Sequence, residues 1–219
     1  MQGEHAAPDQ LPQPLRSAPF SFRSKQRNMP LELPGWILNS YSIKVFNVLF
    51  YHFNGMKSSF VQPYEPYFFP LDSIHNWNRM YGKRGFAQYQ ATFPFESKQG
   101  LISLLETLSE SRRGSFLAIV KRFGPAGKGL LSHPMSGFTL TLDLPNRRGL
   151  SAFMRELDEI LLDYGGRLYT AKDCTADPAT FSAMYPQLDA FLEVKAQVDP
   201  FNCFASTMSR RLGLTPTSR

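Results

Sequence analysis

Little in this sequence belongs to the familiar vocabulary of catalysis. Its 219 residues include two cysteines, Cys174 and Cys203, and four histidines, His5, His52, His75 and His133. Two cysteines exclude a disulfide scaffold and a cysteine-rich zinc site; one bridge is possible, and two unpaired buried thiols are the expectation. The histidines lack metal-ligand spacing, so no metal site is expected and each reads as a surface or structural residue. GxSxG, HExxH and GxGxxG are all absent. The run GPAGKG (124–129) lacks the spacing of a phosphate loop and reads as a hairpin connection. No apolar run reaches the ~18 residues of a membrane-spanning helix. The opening MQGEHAAPDQLPQP has no basic stretch followed by an apolar one, so no signal peptide is expected.

Charge is scarce as well. Asp, Glu, Lys and Arg make up 19% of the chain, against 42% hydrophobic and 14% aromatic residues, which excludes a disordered chain and suffices for a real core. The net charge is +6 and the pI about 9.4, but the basic residues are dispersed. Only Arg16, Arg23, Lys25 and Arg27 near the start, and Arg210, Arg211 and Arg219 near the end, are locally basic. Such an excess reads as solvated surface, so a nucleic-acid partner is not expected.

What is present falls into distinct stretches. Residues 1–35 carry Pro8, Pro12, Pro14, Pro19, Pro30 and Pro34 and read as an extended arm, packed on the body by Phe20 and Phe22. Residues 36–55 crowd Val45, Phe46, Val48, Leu49, Phe50, Tyr51 and Phe53 ahead of Asn54-Gly55, a helix stop. That segment is apolar nearly all round. It is either a buried helix or a greasy flap against a lipid surface.

The middle of the chain alternates. In 85–94, Phe86, Gln88, Gln90 and Thr92 share one face and Ala87, Tyr89, Ala91 and Phe93 the other. A helical stripe follows (Leu101, Ile102, Leu104, Leu105, Leu108), then a strand over 115–123. A second strand, 137–145, sets Phe138, Leu140, Leu142 and Leu144 against Thr139, Thr141 and Asp143. The spacing predicts a helix from about Ser151 to Tyr164, closed by Gly165-Gly166, and a short strand over 167–170. The fold class is therefore α+β, an antiparallel sheet of split β-α-β-β-α-β pattern with helices on one face. Helices are expected over 178–184 and 186–198, and a last short one within 199–212; these residues do not complete a domain of their own.

One sheet face is too polar for a second core and suits a ligand. Lys121 lies between Ile119 and Phe123 on that face, and Gln88 and Gln90 point the same way from another strand. This favours a polyhydroxylated or anionic ligand over a lysine snorkelling at a sheet edge. Tyr169 and Lys172 follow the closing strand, where an ammonium in a partly dry site stabilises developing negative charge; a surface role for Lys172 is the alternative.

From about Leu11 onward the chain resembles the C-terminal half of decaprenylphosphoryl-β-D-ribose 2-oxidases, flavoenzymes of the vanillyl-alcohol-oxidase/PCMH superfamily. The stretches that carry this are PLDSIHNWNRMYG (70–82), GFAQYQ (85–90), SFLAIVKRFG (115–124), SGFTLTLDLP (136–145), GGRLYTAKD (165–173) and AMYPQLD…VDPFNCFAS (183–206). The resemblance implies an arm at 1–35, a substrate domain at 36–166 and a helical segment, 167–219, that returns to complete an FAD domain. The N-terminal FAD domain itself is missing from this chain, which then reads as a fragment or as half of a split enzyme.

By the same resemblance Gln88, Gln90, Lys121, Phe123 and Ile119 line the substrate pocket, with Thr139, Thr141 and Phe68. Tyr169 and Lys172 stand beside the isoalloxazine ring as the catalytic pair, and Ala171 contributes backbone contacts to the cofactor. The implied chemistry is hydride transfer from a ribose C2 carbon of a polyprenyl-phosphate sugar to flavin N5, in cell-wall arabinan precursor synthesis, with Lys172 stabilising the reduced flavin. An epimerase or reductase and a separate FAD domain are the implied protein partners, and the implied place is cytoplasmic, peripheral at the membrane, with the periplasmic face left open. Three positions depart from the family pattern: Thr141 replaces a pocket cysteine, Thr139 an asparagine and Phe68 a rim tyrosine. A sugar-1,4-lactone oxidase of D-arabinono-1,4-lactone type is the alternative within the superfamily. A non-catalytic binding remnant without FAD is the alternative outside it.

Overall fold

The computed structural model describes residues 4–17, 27–35, 37, 39–55, 60, 61, 64–69, 72, 74–113, 115 and 117–216. Phe20, Phe22, Arg23, Lys25 and Arg219 lie outside the described residues. The chain divides into two compact units, 1–83 and 84–219.

In the first unit the proline-rich arm is not uniformly extended. Pro8 opens a 3-10 turn over Pro8–Gln10, and Pro14 lies in the first turn of α1 (Gln13–Arg16), because proline's fixed φ suits a helix start. Two short strands, β1 (Arg27–Asn28) and β2 (Ile74–His75), pair in parallel, and the Arg79 guanidinium donates to the carbonyls of Met29 and Pro30 at 3.1 and 3.2 Å. Between them lie α2 (Ser40–Gly55) and α3 (Tyr64–Phe68). Asn39 starts α2: its Oδ1 accepts from the backbone N–H groups of Tyr41 and Ser42. Of the two readings of this segment, the buried helix is not what forms. Val45, Phe46, Val48, Leu49, Phe50, Tyr51 and Phe53 are all exposed, Phe46 and Phe50 by 49% and 52%.

The second unit is α+β. Its elements run β3 (Phe86–Pro94), α4 (Lys98–Glu110), β4 (Ala118–Phe123), β5 (Gly137–Pro145), α5 (Leu150–Asp163), β6 (Arg167–Leu168), α6 (Pro178–Met184), α7 (Leu188–Val198) and α8 (Thr207–Arg211). The four strands make one antiparallel sheet in the order β4-β5-β3-β6. Alternation fixes its two faces. Tyr89, Ala91 and Phe93 of β3 and Leu140, Leu142 and Leu144 of β5 join Leu104 of α4 and Phe153, Met154, Leu157 and Leu161 of α5 in one buried cluster. Phe181, Met184, Tyr185, Leu188 and Leu212 extend that cluster, so the C-terminal helices pack on the same core.

Local differences from the sequence reading have local causes. The stripe on α4 is narrower than its leucine spacing suggests: Leu104 is buried and Leu101 and Leu108 pack beside it, while Ile102 and Leu105 face solvent. The strand expected over 115–123 begins at Ala118, because the Ser115 hydroxyl occupies the Leu117 and Asp143 carbonyls at 2.6 and 3.0 Å. The helix expected at 186 begins at Leu188. Pro186 keeps Tyr185 out of the α region (φ −124°, ψ 85°), whereas Pro178 does sit in a first turn, behind its Asp177 cap. Gly165 ends α5 with φ +64°, and the Gly166 N–H reaches back to the Leu161 carbonyl at 2.7 Å.

The thiols are free, as expected, but exposed rather than buried. Cys174 follows a turn beyond β6 and Cys203 lies in the loop after α7, both outside the core. That loop is held from within: Asp199 accepts from the N–H groups of Cys203 and Phe204 and pairs with Lys195 at 3.0 Å. It leaves Phe201 and Phe204 almost fully exposed. Among the described residues no helix is long and apolar enough to cross a membrane, and no group of His, Cys, Asp and Glu has the geometry of a metal site.

Candidate functional site

The sheet face turned away from the leucine core gathers the polar candidates. Antiparallel register puts directly opposed residues on one face. The pairs are Gln88 with Asp143, Gln90 with Thr141, Thr92 with Thr139, Ile119 with Thr141, Lys121 with Thr139 and Phe123 with Gly137. Gln88, Gln90, Ile119, Lys121, Phe123, Thr139 and Thr141 therefore share a single surface spanning β4, β5 and β3.

That surface is buried along β5 and at Gln90, half-buried at Gln88, Ile119 and Phe123, and open to solvent at Lys121, and its centre is knitted together. Gln88 Nε2 donates to Asp143 Oδ1 at 2.9 Å, and Gln90 Nε2 to Thr139 Oγ1 at 3.2 Å. The Thr139 hydroxyl in turn donates to the Ala91 carbonyl at 3.1 Å. Thr139 and Asp143 have no solvent exposure, and Thr141 only 3%. The Thr141 hydroxyl is buried without a hydrogen-bond partner. A buried hydroxyl left without a partner costs about 1–3 kcal/mol, so its presence marks a place where an acceptor or donor belongs.

Tyr169 and Lys172 reach this surface from the edge. The Tyr169 N–H donates to the Gln90 carbonyl at 2.9 Å, continuing the β3–β6 ladder by one bond, and the chain then turns through Thr170–Lys172. The Lys172 N–H closes that turn on the Tyr169 carbonyl at 2.9 Å. The expected strand over 167–170 is thus cut to two residues, and the turn replaces its end. Burial lowers the Lys172 pKa, and the neighbouring Lys121 lowers it further, while Asp143 acts in the opposite sense. Neither ammonium bonds to a protein acceptor among the described residues. Ala171, at the outside of the turn, is exposed.

Phe68 is on α3 in the first unit, exposed, with its ring edge-on to Tyr67 at 5.0 Å. The sheet thus brings together nine of the candidates, Gln88, Gln90, Ile119, Lys121, Phe123, Thr139, Thr141, Tyr169 and Lys172, with Ala171 beside them.

Two buried ionisable groups were given no part in the site by the sequence. His133, in the β4–β5 connection, bonds Thr92 Oγ1 and the Leu168 carbonyl at 3.0 and 3.1 Å; burial lowers its pKa to about 4, and Arg167 and Lys172 act in the same direction. On the core side the Tyr89 hydroxyl donates to Asp158 at 2.8 Å, and burial pushes the Asp158 carboxyl up to about 7. Both partnerships span long sequence separations, so no local pattern announces them.

Comparison with known proteins fits this picture. Residues 137–212, from β5 to the last helix, match the D-arabinono-1,4-lactone oxidase family. The chain is 38% identical over 97% of its length to decaprenylphosphoryl-β-D-ribose oxidase of Mycolicibacterium smegmatis, covering 46% of that protein. It is 37% identical over 66% of its length to an uncharacterized protein in the mprA 5' region of Streptomyces coelicolor, covering 39% of it. It is also 25% identical over 58% of its length to L-gulono-1,4-lactone dehydrogenase of Mycobacterium tuberculosis, covering 30% of that protein. The chain therefore spans less than half the length of each of these relatives. It is similar to a decaprenylphosphoryl-β-D-ribose oxidase along nearly all of its own length, and to sugar-lactone oxidases over its C-terminal part.

Proposed function

We propose that the polar face of the sheet is the substrate side of an FAD-linked oxidoreductase acting on a sugar CH–OH group. The observation that carries this reading is a pair of neighbouring ammonium groups, Lys121 and Lys172, that meet no protein acceptor among the described residues, on a face that also holds the unpartnered Thr141 hydroxyl. Those residues fit a flavin. Its reduced form is anionic along the pyrimidine edge, and a half-buried ammonium lacking an anion suits that edge. When bound, FAD supplies the two-electron acceptor for hydride leaving the sugar carbon.

The chain's own residues do the rest. Gln88 and Gln90, anchored on Asp143 and Thr139, hold sugar hydroxyls by their remaining hydrogen-bonding capacity, and Thr141 offers one more. Lys172, its ammonium partly desolvated, would balance negative charge; Tyr169 and the Ala171 backbone would contact the cofactor. Ile119 and Phe123 wall the pocket between the polar groups, and Lys121 meets an anionic substituent such as a phosphate. Phe68 is assigned to the pocket rim on resemblance alone.

The finer reading is oxidation of the ribose 2-hydroxyl of a polyprenyl-phosphate sugar in cell-wall arabinan synthesis, with residues 36–166 as substrate domain. Residues 167–219 would complete a flavin domain supplied by a separate N-terminal portion; the solvent-facing Phe201 and Phe204, on a loop fixed by Asp199, support such a contact. A polyprenyl tail also gives the exposed apolar α2 something to touch at a membrane surface. The family match over residues 137–212 favours a second reading, a sugar-1,4-lactone oxidase.

Absorption spectra of the chain with added FAD, alone and mixed with the FAD-binding portion of a relative, test these readings. Bleaching by a polyprenyl-phosphate riboside supports the first, and bleaching by an aldonolactone alone selects the second. Absence of any bound flavin in both mixtures overturns the oxidoreductase reading in favour of a non-catalytic binding module.

A further inference from the structure

His133 belongs to none of the roles assigned above, yet it touches three of the four strands. Its ring is 5% exposed and lies between two bonds: Leu168 carbonyl on Nδ1, Thr92 hydroxyl on Nε2. A carbonyl only accepts, so Nδ1 carries the proton; in the neutral ring Nε2 then accepts from the Thr92 hydroxyl. The facing cations, Arg167 and Lys172, together with burial, keep a second proton off. Against the same imidazole lie two rings of the proposed pocket. Tyr169 is 4.8 Å away and tilted by 35°, and Phe123 meets it edge-on at 5.8 Å.

We infer that His133, as the neutral Nδ1–H imidazole, is a positioning residue that fixes the Tyr169 and Phe123 rings over the polar face. The Leu168 carbonyl is gripped from both sides of the sheet, by His133 at 3.1 Å and by the Tyr185 hydroxyl at 2.5 Å. The Tyr169 N–H is held by Gln90. With the peptide between Leu168 and Tyr169 fixed at both ends, the remaining freedom of Tyr169 is its side-chain torsions, and the imidazole face limits those. The turn carrying Lys172 starts from this same anchored residue. A neutral ring adds no third cation beside Lys121 and Lys172.

The functional meaning of this inference rests on the proposed site, but its test does not. In the full chain at neutral pH, ¹⁵N resonances of the His133 ring should show one protonated nitrogen, Nδ1; the opposite tautomer or a doubly protonated ring overturns the assignment. Two variants then separate bonding from stacking. His133→Phe keeps an aromatic face and loses both hydrogen bonds; His133→Asn keeps a donor for Leu168 and loses the face. In protein carrying 3-fluorotyrosine, the ¹⁹F signal of Tyr169, assigned through Tyr169→Phe, should shift or broaden in both variants while core Tyr89 stays put. An unmoved Tyr169, or equal movement of Tyr89, overturns the positioning role. Loss of the proposed oxidase site would instead show as full turnover by Lys172→Ala, a separate outcome.

Discussion

The two faces of the four-stranded sheet are both dry at their centre, along β3 and β5, and differently built. Phe93 and Leu142 on one face and Thr92, Thr139 and Asp143 on the other have no solvent exposure at all. On the core face, stability comes from apolar burial and close packing against α4 and α5. On the polar face nearly every buried group is engaged by another side chain, which preserves specific geometry but adds little net stability per bond. Burial by itself therefore does not separate core from site. What distinguishes them is what is buried: side-chain hydrogen bonds among Gln88, Gln90, Thr139 and Asp143 on the polar face, beside a Thr141 hydroxyl without a hydrogen-bond partner and two ammonium groups that meet no protein acceptor among the described residues.

The sharpest break in that comparison is functional. Lys172→Ala, assayed in enzyme reconstituted with the FAD-binding portion of a relative, should lower turnover on the order of 10²–10³-fold while circular dichroism stays unchanged. Retained turnover would return Lys172 to the surface role. The core face gives the reverse result. Leu157→Ala, which empties a site with no exposure, should cost about 2–5 kcal/mol in denaturant unfolding, with the polar-face hydrogen bonds left intact.

Asp158 on the core side and His133 on the polar side are both ionisable groups shifted by burial, and their pH dependences oppose. Asp158, surrounded by Tyr89, Asp173, Asp177 and Arg155, has its pKa raised from 3.8 to about 7 by burial. The folded state holds that proton after the unfolded chain has released it, so its contribution falls as pH rises through this window. His133, facing Arg167 and Lys172, is lowered from 6.5 to about 4. Here the unfolded chain takes the proton first, so stability is lost as pH falls from 6.5 towards 4. Asp158→Asn should gain stability relative to the wild type as pH climbs to 7, and His133→Gln should lose it as pH climbs from 4 to 6.5. Urea melts at three pH values check both signs.

Smaller effects sharpen the contrast further. Thr141→Val removes the orphan hydroxyl and keeps the shape, so stability should stay level or rise by less than about 1 kcal/mol, while sugar affinity falls. Replacing Phe46 and Phe50 with Ser together should leave the melting temperature unchanged, because both rings already face solvent. Liposome binding should drop; unchanged binding removes the lipid role of α2.

The sequence made the sheet legible because side chains on a strand alternate with period two. Alternation alone places Gln88, Gln90, Lys121, Thr139 and Thr141 on one face, and the register agrees. The α5 stripe and its glycine stop were legible for the same local reason. The limits of α4's stripe, the early end of the closing strand and the exposure of both thiols were not, since each depends on what a distant segment covers. For α2, an apolar composition did not decide between burial and display.

The amino-acid sequence by itself determined the α+β class, the polar and apolar faces, and a short strand after Gly165-Gly166 that closes the sheet. Tertiary structure alone decided which buried polar groups meet. His133 finds Thr92 across 41 residues, and Tyr89 finds Asp158 across 69. Alternation and helical period are encoded by neighbours a few residues apart, whereas a hydrogen bond between distant side chains, and the burial that shifts their pKa, exist only once the strands have paired and the loops have closed over them.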